Sequence, residues 1–256
     1  MKASSVCKIL KTERLAKDIY KIIVARPAEC HEITAGQFFH IQCSEEGQSF
    51  LRRPISVCEV ETDQLSFVVR KSGKGTAALC SRKEGEYLDI IGPLGNGFVP
   101  KGERVLLVGG GIGVAPLVEL CKNLKDKDIK VLLGFRTEAY LVEAFKKYCK
   151  AVEVATEDGT FGYKGYVTGL LEETMENPPE MIYACGPEIM LKQIQKYGKA
   201  MGIPTQLAME ERMACGVGAC LVCSCKVKAG EDWDYVRTCK EGPVFWGEEV
   251  IFDEGN

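Results

Sequence analysis

Five cysteines, Cys215, Cys220, Cys223, Cys225 and Cys239, crowd one segment near the end of this 256-residue chain, and they restrict what that segment can become more than any other feature. The chain has 13 cysteines in all. Residues 1–21 mix Lys, Glu, Arg and Asp without an apolar stretch, so they do not read as a secretory signal. Disulfides are rare in a reducing cytosol, so the cluster needs another explanation. The other eight, Cys7, Cys30, Cys43, Cys58, Cys80, Cys121, Cys149 and Cys185, are scattered and read as small buried hydrophobes. The clustered set runs C-x4-C-x2-C and then, after a gap, Cys239. That is the ligand spacing of a plant-type [2Fe-2S] centre, in which each of two irons takes two thiolates. It names Cys215, Cys220, Cys223 and Cys239 as metal ligands and leaves Cys225 outside the pattern. Gly216 and Gly218 lie inside the loop, where positive φ lets backbone N–H groups approach the cluster sulfurs. The alternative is a structural zinc site held by the same cysteines. Such sites ordinarily pair two C-x2–4-C units, and Cys239 stands alone.

The remainder reads as two further domains. Short β-branched or apolar runs at 19–25, 37–43, 55–60, 64–70 and 87–91, broken by Gly36, Asp63 and Gly85, predict a small antiparallel β-barrel over residues 1–100. Pro93, Gly95, Gly97, Pro100 and Gly102 mark its end. The pattern then changes to apolar strands at 105–108, 130–133, 152–155 and 181–184. They alternate with helical stretches near 114–124, 138–148, 168–175 and 188–200. This predicts a doubly wound parallel-sheet α/β domain over 101–205, with a small cysteine-rich domain over 206–256. With 33 Lys and Arg against 36 Asp and Glu the net charge is −3, which gives no electrostatic footprint for nucleic acid. No apolar run is long enough to span a bilayer. The expected location is cytoplasmic.

Gly109-Gly110-Gly111-Ile112-Gly113-Val114-Ala115-Pro116 follows the first of those strands and opens a helix. Glycines there let a pyrophosphate approach the backbone, and the helix start supplies N–H donors. The strict G-x-G-x-x-G is missing, since Val114 stands at the third glycine position. The next strand ends in Gly134-Phe135-Arg136 and not in an acid. A tight turn without a ligand is the plain alternative.

Four motifs in order carry a resemblance. Arg53-Pro54-Ile55-Ser56 resembles the R-x-x-S flavin signature of the ferredoxin–NADP reductase superfamily. Gly73-Lys74-Gly75-Thr76 is similar to its second phosphate loop, Gly109 to Pro116 to its nicotinamide-dinucleotide loop, and Cys185-Gly186-Pro187 to its C-G-P turn. The tail narrows this further. Glu211-Arg212-Met213-Ala214-Cys215-Gly216-Val217-Gly218-Ala219-Cys220 and Arg237-Thr238-Cys239-Lys240-Glu241-Gly242-Pro243-Val244-Phe245 resemble the electron-transfer subunits of class 1B dihydroorotate dehydrogenases.

That resemblance implies an oxidoreductase subunit of pyrimidine biosynthesis that binds FAD, a [2Fe-2S] cluster and NAD. Arg53 would hold the FAD pyrophosphate, with Pro54, Ile55 and Ser56 near the flavin. Val68, Val69 and Arg70 would lie along the ring and ribityl chain, and Gly75 and Thr76 at phosphate. Gly109, Gly110, Gly111 and Gly113, with Cys185, Gly186 and Pro187, would take the nicotinamide dinucleotide. No side-chain acid or base is implied. Electrons would come from the FMN of a separate dihydroorotate dehydrogenase catalytic subunit, two copies of each subunit forming a heterotetramer, and pass through cluster and FAD to NAD+. NAD is preferred on the resemblance alone. Arg136 could meet a 2′-phosphate, and Glu157 and Asp158 could oppose one. Rival readings are the small subunit of an NADH-dependent ferredoxin–NADP reductase or a sulfide dehydrogenase, whose cluster ligands often include an Asp. Others are an oxygenase reductase component, with a longer plant-type gap, and a zinc-stabilised non-enzymatic binding module. Arg52 is left between a solvated charge and a partner contact, and both histidines, His31 and His40, read as structural.

Overall fold

The computed structural model describes residues 3–43 and 50–252. Six antiparallel strands close a barrel in the order β1-β2-β5-β4-β3-β6. They are β1 Ala3–Ala16, β2 Ile19–Ala25, β3 Phe38–Ile41, β4 Arg53–Val60, β5 Gln64–Arg70 and β6 Tyr87–Leu94. The long first strand was not foreseen in the sequence. It pairs with β6 through residues 3–8 and with β2 through residues 9–16, so one strand closes two edges. The inside is filled by Ile9, Ile22, Phe39, Ile41, Leu65 and Phe67, with Phe39 and Phe67 edge to face at 5.6 Å. A short helix, α1 Lys74–Cys80, follows β5.

The second body is a seven-stranded sheet in the order β10-β9-β8-β7-β11-β12-β15. Its strands are β7 Arg104–Gly110, β8 Asp128–Phe135, β9 Ala151–Thr156, β10 Tyr163–Lys164, β11 Met181–Cys185, β12 Thr205–Ala208 and β15 Val244–Trp246. Every pair is parallel except β12 with β15. Its helices are α2 Ala115–Asn123, α3 Val142–Lys146 and α4 Glu188–Met201. The helix expected over 168–175 is a 3₁₀ segment, Val167–Thr174. The one expected over 138–148 shrinks to α3, because Leu141 takes φ +63 and breaks the chain just before it. Helix α4 buries Met190, Leu191 and Ile194 and stops at Gly202, whose φ of +66 forms the left-handed cap.

Two features tie the three segments together. Helix α2 is buried almost all round, from Ala115 to Cys121, because it lies between the sheet and β4 of the barrel. The tail, a hairpin of β13 Ser224–Ala229 and β14 Asp232–Arg237, sends β15 back to add a strand beside β12. The sheet thus extends three residues past position 205 and then recruits a strand from the tail. Both strands are short, and Thr205 and Gln206 interrupt the apolar pattern of β12, which hides them in the sequence.

Candidate functional site

The two glycine-bearing loops meet at the C-terminal ends of neighbouring strands. β7 ends in Gly109-Gly110 and β11 ends in Cys185, and Gly109 lies beside Cys185 in the register. From β7 the chain crosses through α2 to β8 on one side, whereas β11 lies on the other. This is the point where the sheet order reverses, and open α/β sheets take ligands in that crevice. The backbones pack without room for side chains. A Cβ at Gly113 would stand 2.5 Å from the Cys185 carbonyl oxygen, and one at Gly110 would stand 2.8 Å from Pro187. A Cβ at Gly186 would come within 3.0 Å of Gly110. Gly111 takes φ +55. Burial pushes the Cys185 thiol up to about 12, with the Glu210 carboxylate adding to it, so this side chain is a neutral thiol at pH 7. Asp158 N–H donates to the Arg136 carbonyl at 3.3 Å, which sets the acidic loop after β9 beside the basic end of β8.

The barrel carries the flavin-like motif at the start of β4, the strand that packs against α2. Arg53, Pro54, Ile55 and Ser56 open β4 and pair with β3 as Arg53–Ile41, Pro54–His40, Ile55–Phe39 and Ser56–Phe38. Arg53 Nη1 donates to the Leu51 carbonyl at 2.6 Å. Arg52 is committed within the chain, donating to the Asp89 carboxylate at 2.7 Å and to the Asp89 carbonyl at 3.0 Å. On β5, Val68 packs with the α2 core and Val69 turns into the barrel interior, which leaves only the Val69 backbone to meet a ligand. Arg70 is exposed, and its Nη2 lies 2.9 Å from where a Cβ of Gly111 would stand, so the guanidinium reaches across to the dinucleotide loop. Gly75 is buried at the start of α1, and the Thr76 hydroxyl accepts the N–H groups of Ser72 and Gly73 at 2.9 and 3.1 Å.

The cysteine loop is built to hold thiolates. Val217, Ala219 and Cys220 all aim backbone N–H groups at Cys215 Sγ, at 3.5, 3.3 and 3.4 Å. Gly216 at φ +68, Gly218 at φ +84 and Leu221 at φ +59 wind the loop into that shape. Burial pushes the Cys215 thiol up, but these donors and the Cys220 thiol outweigh it and bring it down to about 6. Cys239 is pushed up to about 12, by burial first and by its contact with Cys223 second. The four sulfurs therefore meet in pairs, Cys215 with Cys220 and Cys223 with Cys239. Among the described residues no three His, Cys, Asp or Glu side chains converge on a single ion. Two dithiol pairs, one of them fed by three backbone N–H donors, fit a centre of two irons. Cys225 packs elsewhere, with Phe245 and Val250. Arg237 buttresses the loop, donating to the Gly218 carbonyl at 2.9 Å while Glu241 holds its guanidinium.

One contact was not legible in the sequence. Cys223 and Cys239 pack against Phe38 and Leu94 on the outside of the barrel, and His40 is buried against Gly216. The cluster loop thus rests on β3, the strand paired to the flavin-like motif. Both residues look like ordinary barrel positions in the sequence, because only the tertiary fold brings the tail to them.

Comparisons with known proteins agree with this arrangement. Residues 210–251 match the family described as the iron–sulfur cluster binding domain of dihydroorotate dehydrogenase B, and residues 107–196 match the oxidoreductase NAD-binding domain. The chain is 42% identical over 246 residues to the dihydroorotate dehydrogenase B (NAD(+)) electron transfer subunit of Caldanaerobacter subterraneus subsp. tengcongensis, covering 96% of this chain and 97% of that one. It is 43% identical over 251 residues to the subunit of the same name from Clostridium perfringens, covering 96% and 97%. Among solved structures, it is similar to a chain of an NADH-dependent reduced ferredoxin–NADP oxidoreductase studied for flavin-based electron bifurcation. There the TM-score is 0.84 at 32% identity, over 99% of this chain and 92% of that one. A ferredoxin NADP+ reductase from Neisseria gonorrhoeae, solved with bound FAD and NADP, shares the fold, with a TM-score of 0.64 at 19% identity over 78% of this chain and 92% of that one.

Proposed function

The chain belongs to the family of electron transfer subunits of dihydroorotate dehydrogenase B (NAD(+)), and from that premise we propose that it carries electrons from dihydroorotate, oxidised on a separate catalytic subunit, to NAD+ in pyrimidine biosynthesis. The observation that carries the reading is the junction at β3. It sets a cysteine loop against the strand next to a flavin-like motif, while Arg70 of the same barrel reaches the dinucleotide loop. A flavin exchanges hydride with NAD and single electrons with an iron–sulfur cluster, so FAD belongs between the other two groups.

The residues divide the work. Arg53 holds the FAD pyrophosphate, a task its guanidinium fork suits. Pro54, Ile55 and Ser56, with Val68, the Val69 backbone and Arg70, line the flavin, and Gly75 and Thr76 serve its phosphate end. Gly109, Gly110, Gly111 and Gly113, closed by Cys185, Gly186 and Pro187, admit NAD where side chains would block it. Cys215, Cys220, Cys223 and Cys239 hold the cluster, and the N–H groups on Cys215 tune it. No acid or base of this chain is needed. The FAD unit spans the barrel, residues 1–100, the NAD unit 101–205 extended by β12 and β15, and the cluster unit the rest of 206–256.

The partner is the catalytic subunit that the family name implies, and we assign it an FMN and a heterotetramer of two copies of each chain. Cytoplasmic residence goes with this assignment. No helix among the described residues is long and apolar enough to cross a membrane. Anaerobic co-purification from the native host, followed by mass spectrometry and a dihydroorotate-driven NAD+ reduction assay, tests the proposal. An FMN-barrel dihydroorotate dehydrogenase with that activity is the expected result. A large glutamate-synthase-like subunit in its place would move the chain to the NADH-dependent ferredoxin–NADP class, the second reading that the 32% likeness favours.

A further inference from the structure

We propose that His40 is a positioning residue that pins the cluster loop to the flavin-bearing part of the barrel and so sets how well the two cofactors exchange electrons; this rests on the cofactor assignment above.

Residues on a strand alternate between faces, and β3 is no exception. Phe39 and Ile41 fill the barrel core, so Phe38 and His40 face outward. Both are nevertheless buried, at 2% exposure, because the tail covers them. Phe38 meets Cys223 and Cys239, and His40 meets the other half of the loop. A Cβ on Gly216 would lie 2.7 Å from His40 Nδ1, and Gly216 sits at φ +68, so the ring fills the space where a side chain would be. The backbones of Cys215 and of Arg52 also lie within hydrogen-bonding reach of the imidazole, and Cys215 is the residue whose sulfur receives three N–H groups. Opposite His40 on β4 is Pro54, and directly opposed residues of antiparallel strands project from one face. The ring therefore stands between the flavin motif and a cluster ligand, in contact with the ligand's own backbone.

Packing alone does not account for a histidine here. A leucine or phenylalanine would fill the same volume without burying polar nitrogens, which cost free energy when unpaired. Nε2 is in fact buried with no hydrogen-bond partner. The gain lies on the Nδ1 side, which faces Gly216 and from which the ring can donate to the Cys215 backbone, fixing the loop in a way that a hydrophobe cannot. Outer-shell groups that orient ligands have this kind of effect on metal centres.

The test uses the full chain, isolated without oxygen with its cofactors, as wild type, His40→Leu and His40→Asn. The amide N–H of the Asn variant can replace the ring's donor. NADH is mixed rapidly with each protein, and flavin bleaching and cluster reduction are followed separately by absorbance. The EPR spectrum of the reduced cluster is recorded alongside iron content. The expected result is that His40→Leu lowers the ratio of cluster-reduction rate to flavin-reduction rate by about tenfold or more and alters the EPR signal. His40→Asn restores both close to wild type. Should the Leu variant lose its iron altogether, retention of iron by the Asn variant supports the proposal equally. Wild-type behaviour of the Leu variant, or equal impairment of both variants, overturns the proposal. A wild-type chain that holds no flavin or iron sinks the cofactor assignment instead, before His40 is tested.

Discussion

The Glu119 carboxylate on α2 accepts the backbone N–H of Val60 at 2.8 Å, at the end of β4. One turn along, Lys122 donates to the Val60 carbonyl at 2.6 Å and to Glu61 at 2.9 Å. A single residue of the barrel is thereby gripped on both sides of its peptide unit by residues three apart on the helix that starts at the dinucleotide loop. The strand held at Val60 is the one that begins with Arg53. Helix α2 therefore fixes the flavin strand and the glycine loop relative to each other.

This grip gives stability a pH dependence. Burial pushes the Glu119 carboxyl up, and the Val60 N–H and Lys122 only partly offset it. A carboxyl raised on folding binds its proton more tightly in the native state, so stability falls as pH rises from the unfolded value of about 4.3 through the folded one. Glu119→Gln keeps an oxygen for the Val60 N–H and removes the buried charge. The variant is expected to be more stable than wild type at pH 7.5, with the advantage shrinking towards pH 4. Denaturant titrations at the two pH values measure it. A variant less stable than wild type at pH 7.5 would show that the charge-assisted bond outweighs the burial.

Crowding at the crevice makes a second prediction. Gly113→Ala places a methyl group 2.5 Å from the Cys185 carbonyl, with backbone behind it on Gly186, so the two loops must separate. Hydride transfer is sensitive to such shifts, and a displacement near 1 Å costs about 100-fold. Gly113→Ala should retain its full FAD content while NADH-driven flavin reduction slows by about that factor. Loss of the flavin instead would place the glycine's role in folding the barrel interface.

The exposed ligand offers a third. Cys220 is the exposed member of the cluster set, whereas Cys223 and Cys239 are buried. Cys220→Ser should abolish dihydroorotate-driven NAD+ reduction in the complex and spare NADH reduction of an artificial dye through the flavin. Survival of dihydroorotate-driven turnover would mean that electrons bypass the cluster.

How much of this was legible in the sequence depended on how local each signal is. Strands 19–25 and 64–70 were placed to the residue, because their alternation and flanking turns are complete within a few positions. The cysteine spacing was legible for the same reason. β1 escaped notice because Lys8, Lys11, Glu13 and Arg14 dilute its alternation, and its purpose, closing two edges, is tertiary. β15 is three residues whose only warrant as a strand is β12. At the site, the motif at 68–70 was read as one lining surface, but strand alternation turns Val69 inward. His40 read as structural because its neighbour in the cluster loop, Gly216, is far away in the chain and meets it only on the folded barrel.

The last prediction concerns where the catalytic subunit sits. Around the exposed Cys220, Val217, Leu221 and Val222 are exposed at 41%, 63% and 54%. Beyond them on the β13–β14 hairpin, Trp233 and Tyr235 stand edge to face at 5.2 Å and are also half exposed. Large exposed apolar groups gathered on one side of a domain mark an interaction surface, and aromatic anchors dominate such contacts. On the cofactor assignment proposed above, this surface surrounds the exposed cluster ligand and is where a partner feeding the cluster would approach. Leu221→Glu puts a charge at its centre while leaving Cys220 and the three N–H groups on Cys215 in the sequence. It should weaken association with the catalytic subunit by roughly 30-fold, the equivalent of one interface hot spot near 2 kcal/mol, while the isolated chain keeps its flavin and cluster spectra. Analytical ultracentrifugation of the reconstituted complex measures the first effect and absorbance the second. An unchanged dissociation constant would put the contact on another face and require a longer path from the partner to the cluster.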